Sequence, residues 1–413
     1  MLSHLKIDSH SLVNLALSVE WRSAFASHQD VLVFEKFNVW RDLDLLPEVL
    51  QKNLLGKATG YKEAFSFEPQ ALLPAWSKNN LHSIAPQLFR KTLRQGFTIQ
   101  PHTGRFYPKG LVGGVREVYS EDMHPCRLVA MDETSMTFDF NHPLAQYALT
   151  IGVEVNSVVA HSGEHGGRCN DAIADLLNGP GMQARYGDRP TDFFTGTPFK
   201  RVDEGKDSLF YSMPRMVQHL DKTARQQVEN LYASLIPPQS RILDLMSSFD
   251  SHLPDSIKPL QVTGLGMHQQ ELAANRVLNE RVVHDLNTDI GLPFENAMFD
   301  AVICTASIEY LTQPGVIFEE VARVLKPGGL FINTFSNRWF PVKAISVWAE
   351  MHEFERIGLV SEYYLQSGCF NDVHTHSIRG LSRPEDDVNY AKTAISDPVY
   401  AVWGRTVQAG KGL

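Results

Sequence analysis

From Arg241 to Phe335 the sequence alternates between strand-like and helix-like patterns, and this constrains the chain more than any other feature. Four short apolar runs, at residues 242–245, 262–265, 301–304 and 330–333, read as buried parallel strands. Such strands lack the in-and-out alternation of a half-exposed sheet. Between the last two, Val316, Ile317, Phe318, Val321, Val324 and Leu325 fall near helical spacing. Lys326-Pro-Gly-Gly329 stops that helix, because Pro cannot continue it and Gly accepts the left-handed cap. Strand–helix–strand alternation predicts right-handed crossovers and an α/β doubly wound sheet. A ligand of such a sheet sits beyond the carboxyl ends of its strands. The turn at residues 246–252 is therefore predicted to face a ligand.

The residues that carry chemistry are Arg241-Ile-Leu-Asp-Leu245, Gln261-Val-Thr-Gly-Leu-Gly266, His284-Asp-Leu286, the run from Leu292-Pro-Phe294 to Phe299-Asp300, and Leu325-Lys-Pro-Gly-Gly329. Their order and spacing resemble the class I S-adenosylmethionine (SAM) dependent methyltransferases. The resemblance implies a Rossmann-like domain over residues 211–413 with SAM as cofactor. It implies that Asp244 orients the turn Met246-Ser247-Ser248 around the methionine half, and that Asp285, beside Leu286, accepts from the adenine amino group. Thr305-Ala306-Ser307 falls where cofactor and acceptor meet, with Glu309 and Tyr310 just beyond. Tyr211, His219 and Asp221 fall in a segment that closes over SAM in this family. Two departures stand out. The turn after the first strand has no glycine, and Gly266, followed by Met267 and His268, replaces the acid that binds the ribose hydroxyls.

Length and charge limit the alternatives. At 413 residues two domains and a linker are expected. A net charge of −9 without any Lys/Arg cluster longer than a few residues argues against a nucleic-acid surface. Neither a run of about 18 apolar residues nor a signal pattern is present, so no membrane partner is expected. Cys126, Cys169, Cys304 and Cys369 are scattered, as expected of reduced thiols in a cytoplasm.

The first half reads differently. Strands are predicted near residues 12–21, 31–37, 61–67 and 148–155, with a hairpin at 126–140 and a helix at 44–56 capped by Asp44. Leu46-Pro-Glu-Val-Leu-Gln-Lys-Asn-Leu-Leu-Gly-Lys57, Cys126-Arg-Leu-Val-Ala-Met-Asp132 and Asp139-Phe-Asn-His-Pro-Leu-Ala145 resemble the FKBP-type prolyl isomerases of the SlyD group. That implies an α+β FKBP-like domain over residues 1–158 with a β-rich inserted subdomain at about 99–147. Leu17 stands where the family carries a pocket Tyr, and Glu35 where a pocket Asp is expected, so a scaffold or substrate-presenting role is favoured over isomerisation.

Residues 159–210 have loop composition, rich in Gly and Pro, and are read as a linker or lid. Arg168, Arg185, Phe193 and Phe194 are its candidate substrate contacts. His161, Glu164, His165 and Cys169 match no zinc spacing, and no metal is expected. In the tail, 359–364 reads as a helix end and 369–374 and 398–403 as strands. His374 and His376, two apart, are placed on one strand face. The candidate catalytic residues are Tyr211, His219, Ser307, Glu309 and Tyr310. With weak base equipment, the expected acceptor is a small molecule that ionises easily, such as a thiol. Two alternatives are a chaperone-like protein that binds SAM without using it and a methyltransferase of proteins. A homodimer is left open.

Overall fold

The computed structural model describes residues 5–92, 98–160, 163 and 169–407. The chain forms two compact units, Met1–Asp192 with His376–Ser382, and Phe193–Thr375 with Arg383–Leu413.

In the first unit, strands Ser11–Arg22 (β1) and Ala26–Asn38 (β2) pair antiparallel. Strand Lys62–Phe67 (β3) pairs with the long strand Leu149–Ala160, and that strand also pairs with β1. Along β1, burial alternates strictly, so Val13, Leu15, Leu17, Val19 and Trp21 all point into one core. Leu50 and Leu54 of the helix Glu48–Leu54 close that core. Asp44 does not cap this helix. Pro47 precedes it, pre-set for entry, and no side chain caps it. The segment between β3 and the long strand builds a second sheet from Leu81–Ile84 (β4), Phe106–Pro108 (β5), Pro125–Met131 (β6) and Met136–Asp139 (β7), in the order β4-β7-β6-β5. It has its own core around Phe89, Tyr107, Leu128 and Phe138. The second sheet thus begins at Leu81, earlier than the insertion expected at about 99.

The linker-or-lid reading of residues 159–210 needs correction. Asp171 caps the helix Ala172–Leu177 by accepting from the Ala174 N–H, and Ala172, Ile173, Leu176 and Leu177 lie in the first core. The flanking glycines hid a helix of only six residues. Arg168, His161, Glu164 and His165 lie outside the described residues. Arg185 stacks on Phe25 in the first unit, whereas Phe193 and Phe194 open the second, where Phe194 packs on Phe199 and Tyr363.

In the second unit, Leu149–Ala160 being the eighth strand (β8), the sheet continues the count with Arg241–Leu245 (β9), Gln261–Gly266 (β10), Glu280–Val283 (β11), Phe299–Thr305 (β12), Leu325–Phe335 (β13), Phe370–Arg379 (β14) and Val399–Thr406 (β15). The order β11-β10-β9-β12-β13-β15-β14 places the crossover between β9 and β12. Strands β9 to β13 pair in parallel, and β15 runs antiparallel to β13. The four predicted apolar runs are β9, β10, β12 and β13, with Ile242, Leu243, Val302, Ile303, Phe331 and Ile332 wholly buried. Helix Pro314–Val324 ends one residue before β13, and Gly328 has a φ of +75°. Among the described residues, no helix is long and apolar enough to cross a membrane.

Strand β14 changes units between Thr375 and His376. His374 stacks on Trp403 in the second unit, while His376 bonds Gln29 in the first, where burial lowers its pKa to about 4. They do not share a site, and the described residues hold no metal-ligand cluster. Further along, Arg379 holds the buried Asp30 at 2.9 Å, donates to the carbonyls of Asp175 and Leu176, and is joined by Ser377, which donates to Asp30 at 2.6 Å. Burial raises the Asp30 pKa and Arg379 opposes that. Arg379→Ala leaves a buried carboxylate without its cation, and urea unfolding at neutral pH should show a loss of about 3–5 kcal/mol. Removing the cation lifts the Asp30 pKa further, so the loss should shrink as falling pH protonates it. A loss under about 1 kcal/mol at neutral pH would show the pair to be dispensable.

Candidate functional site

The carboxyl ends of β9, β10 and β12 open into one cavity of about 1200 Å³, counting its mouth, in the second unit. Its floor is organised by Asp244, the fourth residue of β9. That carboxylate is 2% exposed. One oxygen accepts from the Ser247 hydroxyl at 2.5 Å and the Ser251 hydroxyl at 2.6 Å. Asn275 donates to Ser251 and to the Ser248 carbonyl, and the Ser248 hydroxyl donates to Glu271. Side-chain hydroxyls thus fasten a turn that has no glycine. Burial raises the Asp244 pKa to about 6, against the pull of the two serines.

The backbone pays for the missing glycines locally. Met246, His252 and Ala306 all line the cavity and all have positive φ, at 58°, 54° and 49°. Non-glycine residues rarely adopt this region, and such strain collects at functional sites. Gly266 answers to a different demand. A Cβ there would lie 2.1 Å from the Ser247 carbonyl oxygen. An acid at 266 is therefore sterically incompatible with this turn. Met267 and His268 line the cavity, as does Glu271 one helical turn on. Glu271 accepts from the Arg215 N–H at 2.7 Å as well as from Ser248.

Asp285 and Leu286 follow β11 on the same wall. Asp285 accepts from the Asn287 N–H and the Thr288 hydroxyl, which ties its carboxylate to the turn that follows β11. Thr305 is held by Tyr232, whose hydroxyl lies 2.6 Å from it and 2.9 Å from Thr334. Ser307 donates to the Thr305 carbonyl.

Tyr211, His219 and Tyr310 meet Phe340 on the remaining wall. His219 stands edge-on to Phe340 at 5.1 Å, and burial followed by the charge of Arg215 lowers its pKa. It is neutral at neutral pH. Tyr310 accepts from the Phe340 N–H at 2.8 Å. Burial raises the Tyr211 and Tyr310 pKa values. Glu309 is buried behind this wall, not on it. Asp221 caps the helix Lys222–Leu235 and bonds Ser396, outside the cavity. Arg185, Phe193 and Phe194 also stand apart from the lining.

Sequence reasoning missed Asp207, Arg215, Glu271 and Phe340, all on the wall. Asp207 is gripped by Arg201 at 2.8 Å through both oxygens, by the wholly buried Lys343 at 3.0 Å, and by Asn287 at 2.8 Å. Arg215 lies over Phe210, Tyr211 and Phe340 at 4.3, 5.2 and 4.6 Å. No local motif marks these residues, because Asn287, Lys343 and Phe340 among their partners are remote in sequence.

Residues 248–333 match the family model described as a methyltransferase domain. Over 104 residues the chain is 28% identical to the ubiquinone/menaquinone biosynthesis C-methyltransferase UbiE of Chromobacterium violaceum, covering 24% of this chain and 41% of that protein. It thus spans under half the length of that curated relative. A solved SAM-dependent methyltransferase from Aquifex aeolicus is similar at 12% identity and a TM-score of 0.33, covering 49% of this chain and all of that one. A chain in the complex between the Haloferax volcanii Trm112 methyltransferase activator and the putative methyltransferase is similar at 16% identity and a TM-score of 0.34, covering 46% and 93%. The second unit carries a class I methyltransferase domain, and SAM is its cofactor. The cavity suits that group: Asp285 and Glu271 line it, and Gly266 leaves room where a side chain would meet the Ser247 carbonyl.

The raised Asp244 carboxyl makes a pH prediction. Its folded pKa, about 6, lies above the unfolded value of 3.8, so the folded state binds the proton more tightly. Stability should fall as pH rises through that window. Asp244→Asn does not titrate, so its stability relative to the parent should improve by about 3 kcal/mol between pH ~3.5 and ~7 in the absence of SAM. A pH-independent difference in urea unfolding would contradict a buried, cation-free carboxylate.

Proposed function

We propose that this chain is a SAM-dependent methyltransferase that acts on a small nucleophile with an acidic X–H bond, a thiol foremost. One observation carries the reading. The cavity that gathers Asp244 and Asp285 ends on the phenols of Tyr211 and Tyr310, the neutral imidazole of His219 and the ring of Phe340. Bound SAM supplies an activated methyl group. The chain's residues have the tasks of orientation and water exclusion. Asp244 holds the turn through two serines, Asp285 accepts from the adenine, and Glu271 stands in for the acid missing at Gly266. The aromatic wall offers an apolar seat for the acceptor, with His219 as its hydrogen-bonding partner. UbiE, by its name, methylates carbon in quinone biosynthesis, so a quinol is the natural rival to a thiol.

We read the first unit as an FKBP-like scaffold with an inserted sheet. Leu17 is wholly buried in its core, and Glu35 accepts from the Ser382 N–H, so neither furnishes a polar isomerase pocket.

Two measurements test the reading. Calorimetry should show Asp285→Ala weakening SAM binding by roughly 1–3 kcal/mol, as for a hydrogen bond to a charged group. Labelled SAM offered with small thiols, phenols, quinols and a peptide should be consumed with the small acceptors and spared with the peptide. Methylation of the peptide alone would turn the reading to a protein acceptor.

A further inference from the structure

The turn that Asp244 holds carries two further ionisable side chains, Asp250 and His252, and both line the cavity. Asp250 is pinned from two sides. Its Oδ2 accepts from the Gln218 side chain at 2.6 Å and its Oδ1 from the His252 N–H at 2.9 Å. The His252 ring stands beside the same carboxylate, with a buried Nδ1 3.4 Å from Oδ2. That is ion-pair distance, a step longer than a hydrogen bond, and catalytic hydrogen bonds are commonly long until substrate is seated. A carboxylate beside Nδ1 favours the tautomer with its hydrogen there, which leaves the Nε2 lone pair for a ligand of the cavity.

The backbone at His252 is held in the left-handed region, with φ at 54°. A glycine would sit there without strain, so an imidazole in its place marks a side chain with a task. His219, the other imidazole near the aromatic wall, is placed by an edge contact with Phe340, whereas His252 has an acid behind it. An acid–imidazole pair is the arrangement in which a neutral base is stabilised as it takes up a proton.

We propose that His252 is the general base for methyl transfer and that Asp250 positions it, an inference that rests on the methyl-transfer reading above. The acceptor's X–H bond breaks and its proton passes to His252 Nε2. The freed electron pair forms the bond to the methyl carbon, and the electron pair of the methyl–sulfur bond stays on sulfur. The imidazolium closes on Asp250 and gives its proton to water once product has left. His252 is the catalytic residue, and Asp250 acts through it. The groups that face His252 are Asp250 from its own turn, Arg225 from the helix Lys222–Leu235, and His219. Burial first, opposed by Asp250 and joined by Arg225 and His219, holds the imidazole pKa below its ordinary 6.5, so the ring is in its base form at neutral pH.

The test uses the full chain with a thiol, phenol or quinol that the parent turns over. The parent's kcat should be level at neutral pH and fall about tenfold per pH unit below the imidazole's pKa. His252→Gln should lower kcat about 100-fold at neutral pH and remove that acid limb. His252→Gly, which suits the positive φ, should lose as much and regain activity in part when free imidazole is added. Asp250→Asn should lower kcat about tenfold and move the limb to lower pH, because loss of the anion disfavours the imidazolium. SAM affinity by calorimetry should stay within about threefold of the parent's in each variant. A Gln or Gly variant with the parent's kcat and pH profile overturns the proposal. So does a variant whose sole defect is weaker SAM binding, with full kcat at saturating SAM, since the imidazole then serves the cofactor. If the Gln variant fails to fold, the Gly variant with and without imidazole decides alone. A parent that consumes no SAM with any acceptor removes the methyl-transfer reading itself, and the base falls with it.

Discussion

A carboxylate taken out of water must be solvated by something, and Asp244 is solvated by alcohols. Most of the cavity's order follows from this. Ser247 and Ser251 turn their hydroxyls inward to the acid, and Asn275 completes the ring by donating to Ser251. The chain between them is thereby bent tightly enough that Met246 and His252 enter the left-handed region. The same bend brings the Ser247 carbonyl against β10, which only Gly266 tolerates. A glycine-rich turn would reach the same shape by backbone freedom; here hydrogen bonds to one buried acid impose it.

The opposite wall follows another rule. Asp207 is crowded by two cations and an amide, so it is a fixed point rather than a reactive group. It ties the segment before Tyr211 to Asn287, and Asn287 donates to the Tyr310 carbonyl. Arg215 then lies across three aromatic rings. Charge on this side holds aromatic surface in place, while the groups left to meet an acceptor are weak acids and a neutral base.

Much of the second unit was legible in sequence because its strands are buried on both faces. Short continuous apolar runs, spaced by helical segments as at β9, β10, β12 and β13, fit a parallel sheet and little else, and Asp244 and Asp285 sit near the ends of its strands. The Asp207 cluster was illegible because Arg201, Asn287 and Lys343 come together only through the fold. The helix Ala172–Leu177 was illegible for a different reason: six residues between glycine-rich flanks carry less than two turns of periodicity. The return of residues 376–382 to the first unit left no signature either. A strand that changes surroundings halfway keeps a uniform strand pattern, as Phe370–Arg379 does.

That return has a consequence in time. Arg379 and Ser377 complete the solvation of Asp30, yet they are synthesised long after Asp192 closes the first stretch of the same unit. At ribosomal speeds the interval is roughly 10–40 s. During it a nascent first unit carries a buried acid whose cation does not yet exist. Such an acid either draws a proton or keeps the edge of β2 open to water. The first unit thus begins early in the chain but cannot reach its final stability until Arg379 has been made.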